Sequence, residues 1–324
     1  MPQHLCRRAV LALPLLPALA AAQPGWAPDG PVRFLQGFAP GGTTDIVARL
    51  LAPYLAEALG QPVVVENRPG AGGTIASHTL ARSAPDGRTM MLLNNAHAVT
   101  AATFRRLPYD PIADIAPVVQ VATMGLVFLT RAEGPIRTLA DLVAAARARP
   151  EAITLGPVGV GSTQHFVAEA FQALAGVRLT HVPYRGTPDL ILALRQGQID
   201  LVVETVAATL GQIRAGEVRA IALSTAARFS GLPEVPTVAE AGIPGFDLAT
   251  WFTIAFPAGV SPAAIARVNA ATRTALERPE LRARLLDLGL TPVGSSPEEA
   301  AAVIRRDIAR WRELVASAGI PQQD

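Results

Sequence analysis

From residue 32 onward, short apolar runs alternate with stretches whose apolar side chains recur at every third or fourth position. The runs are buried-strand patterns and the periodic stretches are amphipathic helices. Their alternation predicts an α/β protein built on mostly parallel sheet flanked by helices. Strands are expected at Val32–Gln36, Pro62–Asn67, Thr89–Asn94, Val118–Thr130, Ile153–Gly156, Leu179–Val182, Ile199–Val203, Arg219–Ser224 and Trp251–Phe256. Val47, Leu50, Leu51, Tyr54, Leu55 and Ala58 mark the first helix, with Thr44 or Asp45 capping it. Thr138 to Asp141 and Ser296 to Glu299 read as capping boxes, and Ser261-Pro262 places proline at a first helical position.

Val118–Thr130 is too long for an ordinary sheet strand. A strand that leaves one lobe and enters another explains it, with Trp251–Phe256 as the return crossing. The expected organisation is therefore two lobes joined by a two-strand hinge. Residues 23–125 plus 252–324 form the first and 126–251 the second. A mature chain of about 300 residues suits two cores better than one. Ile304, Ile308, Trp311 and Leu314 share one face of a C-terminal helix expected to pack on the first lobe.

Composition narrows the function. Arg7 and Arg8 precede an apolar run from Ala9 to Ala22 that is broken by Pro14 and Pro17. Residues 1–22 thus read as an export signal cleaved near Ala20–Gln23, placing the mature chain in the periplasm, by either the general or the twin-arginine route. The single cysteine, Cys6, leaves with that signal, which excludes disulfides, thiolate metal sites and cysteine nucleophiles. Without Arg7 and Arg8 the chain has 26 basic and 26 acidic residues, so nucleic acid is not an expected partner. There is no lysine, which excludes Walker-type phosphate binding and Schiff-base catalysis.

Four segments share a grammar of strand, small residues and helix start: Phe38–Asp45, Arg68–Thr74, Gly156–Thr163 and Tyr184–Pro188. Such loops sit at the carboxyl ends of parallel strands, where open α/β sheets take ligands. Bare amides and the helix dipole both favour an anion there. Micromolar binding needs about 8 kcal/mol, and one hydrogen bond to a charged group supplies roughly 1.5–3 kcal/mol. One loop is insufficient, so a convergent site using donors from both lobes is expected. Candidate residues are Phe38, Gly41, Gly42, Thr43, Thr44, Asp45, Asn94, Asn95, Gly161, Ser162, Thr163, Tyr184, Arg185, Gly186 and Glu204. Arg185 reads equally as a carboxylate partner or a surface charge. Glu204 shares a strand face with Asp200, closing a strand end or meeting a ligand amine. Asp45 is expected to serve its own helix rather than a ligand. His78, His97, His165 and His181 are scattered, with no pair at metal-ligand spacing, and there is no G-x-S-x-G elbow. No metal, cofactor or catalytic group is implied.

The segment Phe38-Ala39-Pro40-Gly41-Gly42-Thr43-Thr44-Asp45 resembles the first-loop motif of the tripartite tricarboxylate transporter substrate-binding proteins, also called the Bug family. The likeness continues through Val65–Gly73, Pro85–Thr89, Tyr109–Pro111, Gly159–Ser162, Val182–Gly186, Gly197–Asp200 and Val235–Thr237, in order along the mature chain. The resemblance implies a type II-like periplasmic binding protein that closes on a small carboxylate. It implies a soluble monomer that delivers ligand to a membrane partner of one large and one small subunit. It places Phe38 and Gly41–Asp45 near one carboxylate, through backbone amides and ordered water, and Gly161, Ser162 and Thr163 near the ligand's other end. Asn94 and Asn95 stand where the family often carries small hydroxyl residues. The family's ligands range over citrate-like acids, acidic amino acids and dicarboxylates. Two other readings are a ligand-sensing receptor with a signalling partner and a secreted carboxylate hydrolase or isomerase. The last needs a nucleophile or an acid–base pair that the sequence does not offer.

Overall fold

The computed structural model describes residues 26–38, 40–156, 163–182, 184, 187–317 and 322, so the expected signal segment lies outside the described residues. The chain opens with β1 (Val32–Gln36), α1 (Thr43–Leu59), β2 (Val63–Asn67), α2 (Thr74–Ala81), β3 (Thr89–Asn94) and α3 (Ala96–Thr103). A long strand, β4 (Ile115–Arg131), leads to α4 (Leu139–Ala148), β5 (Thr154–Gly156), α5 (Thr163–Ala175), β6 (Thr180–His181), α6 (Thr187–Arg195), β7 (Leu201–Thr205), α7 (Val206–Arg214) and β8 (Val218–Leu223). The chain returns through β9 (Ala249–Pro257) to α8 (Pro262–Glu277), α9 (Pro279–Asp287), β10 (Thr291–Pro292) and α10 (Pro297–Ser317). Among the described residues, no helix is long and apolar enough to cross a membrane.

The strands follow one hydrogen-bonded path, β2–β1–β3–β9–β4–β7–β5–β6, with β8 and β10 attached to β4. Outer strands pair in parallel, β2 and β3 on β1, and β6 and β7 on β5. Antiparallel pairing is confined to the centre, because β4 and β9 run up and down between two lobes. Over Ile115–Gly125, β4 pairs with β9; over Leu126–Arg131 it pairs with β7 and β8. The change of partner explains the strand's unusual length.

Each half of this sheet is covered on both faces, which is why its strands read as continuous apolar runs. On β1 and β3, Val32, Phe34, Met90 and Leu92 face α1 and α8, while Leu35, Met91 and Leu93 face α2, α3 and α10. On β4, Leu126 and Phe128 join a core with α4 and α5, and Val127 and Leu129 one with α6 and α7. Phe128 centres its cluster, with Phe171 at 5.0 Å and Phe246 at 6.2 Å between ring centroids. The capping boxes form as read: Asp141 N–H donates to Thr138 Oγ1 at 3.1 Å, and Glu299 N–H donates to Ser296 Oγ at 3.1 Å.

Ile304, Ile308 and Trp311 of α10 are buried against the first-lobe core, and Trp311 also meets Phe166 of α5 edge-on at 5.1 Å. On the same helix, buried Asp307 accepts a hydrogen bond from Trp251 Nε1 at 2.6 Å. Desolvation lifts the Asp307 pKa above the ordinary carboxylate value, and the Trp251 bond with Arg306 and Arg310 offsets this only in part. The folded state therefore holds this proton more tightly than the unfolded chain does. The group's contribution to stability falls as pH rises through the folded pKa. Asp307→Asn keeps an acceptor for Trp251 and carries no charge at any pH. Thermal melts should show the variant more stable than wild type near pH ~8. The advantage should vanish below the ordinary Asp pKa of about 3.9. A wild type as stable as the variant at alkaline pH would contradict this account.

Candidate functional site

A cleft of about 540 Å³ opens beside the carboxyl ends of β1 and β3, between the two sets of loops. Its first wall is the start of α1. Gly42 is the N-cap residue, at φ −75° and ψ 164°, and makes no side-chain cap bond. The first helical bond runs from Ile46 N–H to Gly42 O at 3.0 Å. The amides of Gly42, Thr43, Thr44 and Asp45 therefore precede the hydrogen-bond ladder. Thr44 and Asp45 do not cap the helix as expected. Asp45 sits in its first turn and reaches back to accept Gly41 N–H at 2.9 Å. Burial alone would raise this carboxyl's pKa, but Arg49 and the Gly41 amide outweigh it and hold Asp45 below the usual range. With Asn67 Nδ2 also bonded to it at 2.9 Å, Asp45 is a brace behind the cleft.

Phe38 is held by its backbone: its N–H donates to Gln36 Oε1, and its carbonyl accepts from Gln36 Nε2 and Asn67 Nδ2. A second glycine loop presses against this one. A Cβ on Gly37 would lie 2.7 Å from the Gly73 Cα, so the approach requires glycine. That contact brings Ala71 and Gly72 to the cleft beside the Phe38 ring.

The third wall follows β3. Asn94 accepts Ala96 N–H on Oδ1 and donates to Thr44 Oγ1 at 3.1 Å, tying α3 to α1. Asn95 is buried and donates from Nδ2 to Thr163 Oγ1 at 3.1 Å, a bond between residues 68 apart in sequence. Thr163 and Gln164 begin α5 and line the opposite side. Beneath them lies Glu204, which is buried. It accepts from Gln164 Nε2 at 2.8 Å, from Thr187 Oγ1 at 2.8 Å and from Thr205 N–H at 2.6 Å. It thereby fixes the starts of α5, α6 and α7 together.

Of the expected site residues, Phe38, Gly42, Thr43, Thr44, Asn94, Asn95 and Thr163 line this one cleft. Gly41 and Asp45 stand behind it and Glu204 below it. Tyr184 packs on the apolar core around α6 and α7. Gly161, Ser162, Arg185 and Gly186 lie outside the described residues. The fold adds Gln164, Thr100, Thr103, Thr205, Thr250 and Phe252. Gln164 follows Thr163 directly, so the helix start was its signal. Thr250 and Phe252 had none, since which face of β9 meets the cleft depends on the sheet. Trp251 between them points into a smaller cavity of about 250 Å³ on the other side, lined also by Asp307, Arg306 and Arg310.

The described lining of the cleft contains no charged side chain. Its donors are threonine hydroxyls, the amides of Asn94, Asn95 and Gln164, and the starts of α1 and α7, which carry no side-chain cap bond among the described residues. A neutral shell of this kind holds an anion without burying a counter-charge, whose desolvation would be costly.

A family model described as the tripartite tricarboxylate transporter family receptor matches residues 47–320. Protein BugT of Bordetella pertussis is 35% identical over 294 residues, covering 90% of each chain. A structure from R. palustris solved with adipate is 34% identical, with a TM-score of 0.77, covering 91% of this chain and 99% of its own. MatC from Rhodopseudomonas palustris with bound malate is 33% identical, with a TM-score of 0.72 over 89% and 99%. With its two α/β lobes, its cleft where helix starts converge and this likeness along nearly its whole length, the chain belongs to the tripartite tricarboxylate transporter receptor family.

Proposed function

We propose that this protein is a periplasmic receptor that captures a small organic di- or tricarboxylate between its lobes and hands it, as a monomer, to a tripartite tricarboxylate-type transporter. The carrying observation is the convergence of four helix starts and neutral donors on one cleft of about 540 Å³, a volume within the range of small-molecule sites. The relatives solved with adipate and malate support a carboxylate as the guest. In this reading the lobes are residues 23–125 with 252–324 and residues 126–251, hinged where β4 changes partners. Phe38 walls the pocket, the amides of Gly42 to Thr44 hold one carboxylate, and Ser162, Thr163 and Gln164 meet the other end. The Asn95–Thr163 bond closes the lobes over it. Asp45 and Glu204 act on the ligand only by positioning those donors.

The test has two parts. Small molecules released on denaturing the purified protein are identified by mass spectrometry. Melting curves are then recorded with adipate, malate, citrate and glutamate. At least one carboxylate should raise the melting temperature and be recovered unchanged. Release of only neutral or cationic compounds, with no shift from any acid, would overturn the proposal. Consumption of an acid would overturn the receptor reading in favour of an enzyme.

A further inference from the structure

Sixteen positions separate His165 from His181, and that spacing suggests no shared ligand. The fold brings them together. His165 and Glu169 are one turn apart on α5, and His181 ends the edge strand β6 beside that helix. Glu169 Oε1 is 3.6 Å from His165 Nε2 and 3.2 Å from His181 Nε2. The two imidazoles meet edge to face at 5.1 Å, and all three donor atoms lie within 4.8 Å of one another.

The described residues do not satisfy His181. The Gln172 carbonyl is fixed by Leu179 N–H at 2.6 Å, so its amide nitrogen is the atom 2.9 Å from His181 Nε2. That nitrogen faces an amide donor and a carboxylate acceptor at once, and neither tautomer suits both. Among the described residues, Nδ1 of the same ring is buried without a hydrogen-bond partner and stays so when Nε2 is the ligand atom. A cation between the three groups accepts the imidazole lone pair and the carboxylate together. Gln172 then keeps its Leu179 bond and gives up its contact with His181.

We propose that His165, Glu169 and His181 form a site for a divalent first-row transition ion of the imidazole-preferring kind, with zinc as its natural probe. Tetrahedral zinc with bonds of about 2.0–2.1 Å sets its ligand atoms roughly 3.3 Å apart. Two edges of that triangle already match, and the third closes by rotation of partly exposed side chains. Two histidines and one carboxylate leave a fourth position open, as zinc sites that bind water or a further ligand do. The ion would clamp α5, whose first residues line the cleft, to the edge strand that leads toward Tyr184. The site stands apart from the carboxylate reading and survives or fails without it.

The test uses the full mature chain, without a histidine tag, dialysed against EDTA and titrated calorimetrically with zinc chloride. One equivalent should bind with a dissociation constant of about 10 μM or tighter, and melting curves should rise with zinc concentration. His181→Gln and Glu169→Gln should each weaken binding at least ~10-fold, the range seen when a metal's immediate surroundings are lost. His78→Gln, remote in sequence, should bind as wild type does. If His181→Gln does not fold, Glu169→Gln decides, because Glu169 is about one-third exposed. No zinc uptake by wild type, or undiminished uptake by both variants, overturns the site.

Discussion

Thr43→Pro is expected to weaken binding of the cognate carboxylate by roughly 10- to 100-fold while leaving the ligand-free melting temperature nearly unchanged. Thr43 is the first residue of α1, the position where proline is best tolerated, because its missing N–H has no helical partner. Gly42 before it is already extended, at φ −75° and ψ 164°, the conformation a residue preceding proline prefers. The substitution therefore removes one amide from the anion seat and little else from the fold. A hydrogen bond to a charged group is worth about 1.5–3 kcal/mol, which sets the expected factor. Thr43→Ala retains the amide and loses only the hydroxyl, so its smaller effect isolates the backbone contribution. Calorimetric titration of wild type and both variants checks this. Equal affinity in wild type and Thr43→Pro would mean that the amide at this helix start does not hold the ligand.

The second large effect is expected at Glu204. Alanine there strips acceptors from Gln164 Nε2, Thr187 Oγ1 and Thr205 N–H in a buried setting. Leaving buried donors unmatched costs about 1–3 kcal/mol each where they cannot find water. Denaturant melts should show Glu204→Ala less stable by about 2–4 kcal/mol. Carboxylate affinity should fall as well, since Gln164 and Thr205 line the cleft and lose their anchor. Glu204→Gln keeps a carbonyl acceptor and should fall between the two. A Glu204→Ala protein as stable as wild type would show that these helix starts are fixed by packing alone.

Much of the architecture was legible because each strand is buried on both faces. Thr89–Asn94 and Val32–Gln36 coincide with β3 and β1, and the long run around Val118–Thr130 proved to be the strand that changes partners. The expected Leu179–Val182 run holds β6, but the short edge β10 was not foreseen. β10 is only Thr291–Pro292, a two-residue pairing too brief for any periodicity. The cap of α1 differed from expectation because Asp45 bonds back to Gly41, which lets the helix begin at Thr43 with glycine before it.

Local pattern determined the alternation of strands and helices, the capping boxes, the crossing strand and the glycine turn that leaves the start of α1 without a side-chain cap. Each of these depends on residues a few positions apart, whose side chains and backbone bonds meet whatever the rest of the chain does. Tertiary structure decided which helix starts share one cleft. It set the Asn95–Thr163 bond across 68 residues and turned Thr250 and Phe252 inward while Trp251 faces Asp307. It converted Glu204 from a candidate contact into a buried support and joined His165 to His181 around Glu169. These outcomes follow from how two separate cores pack about β4 and β9, and that geometry arises only from the summed burial of residues distant along the chain.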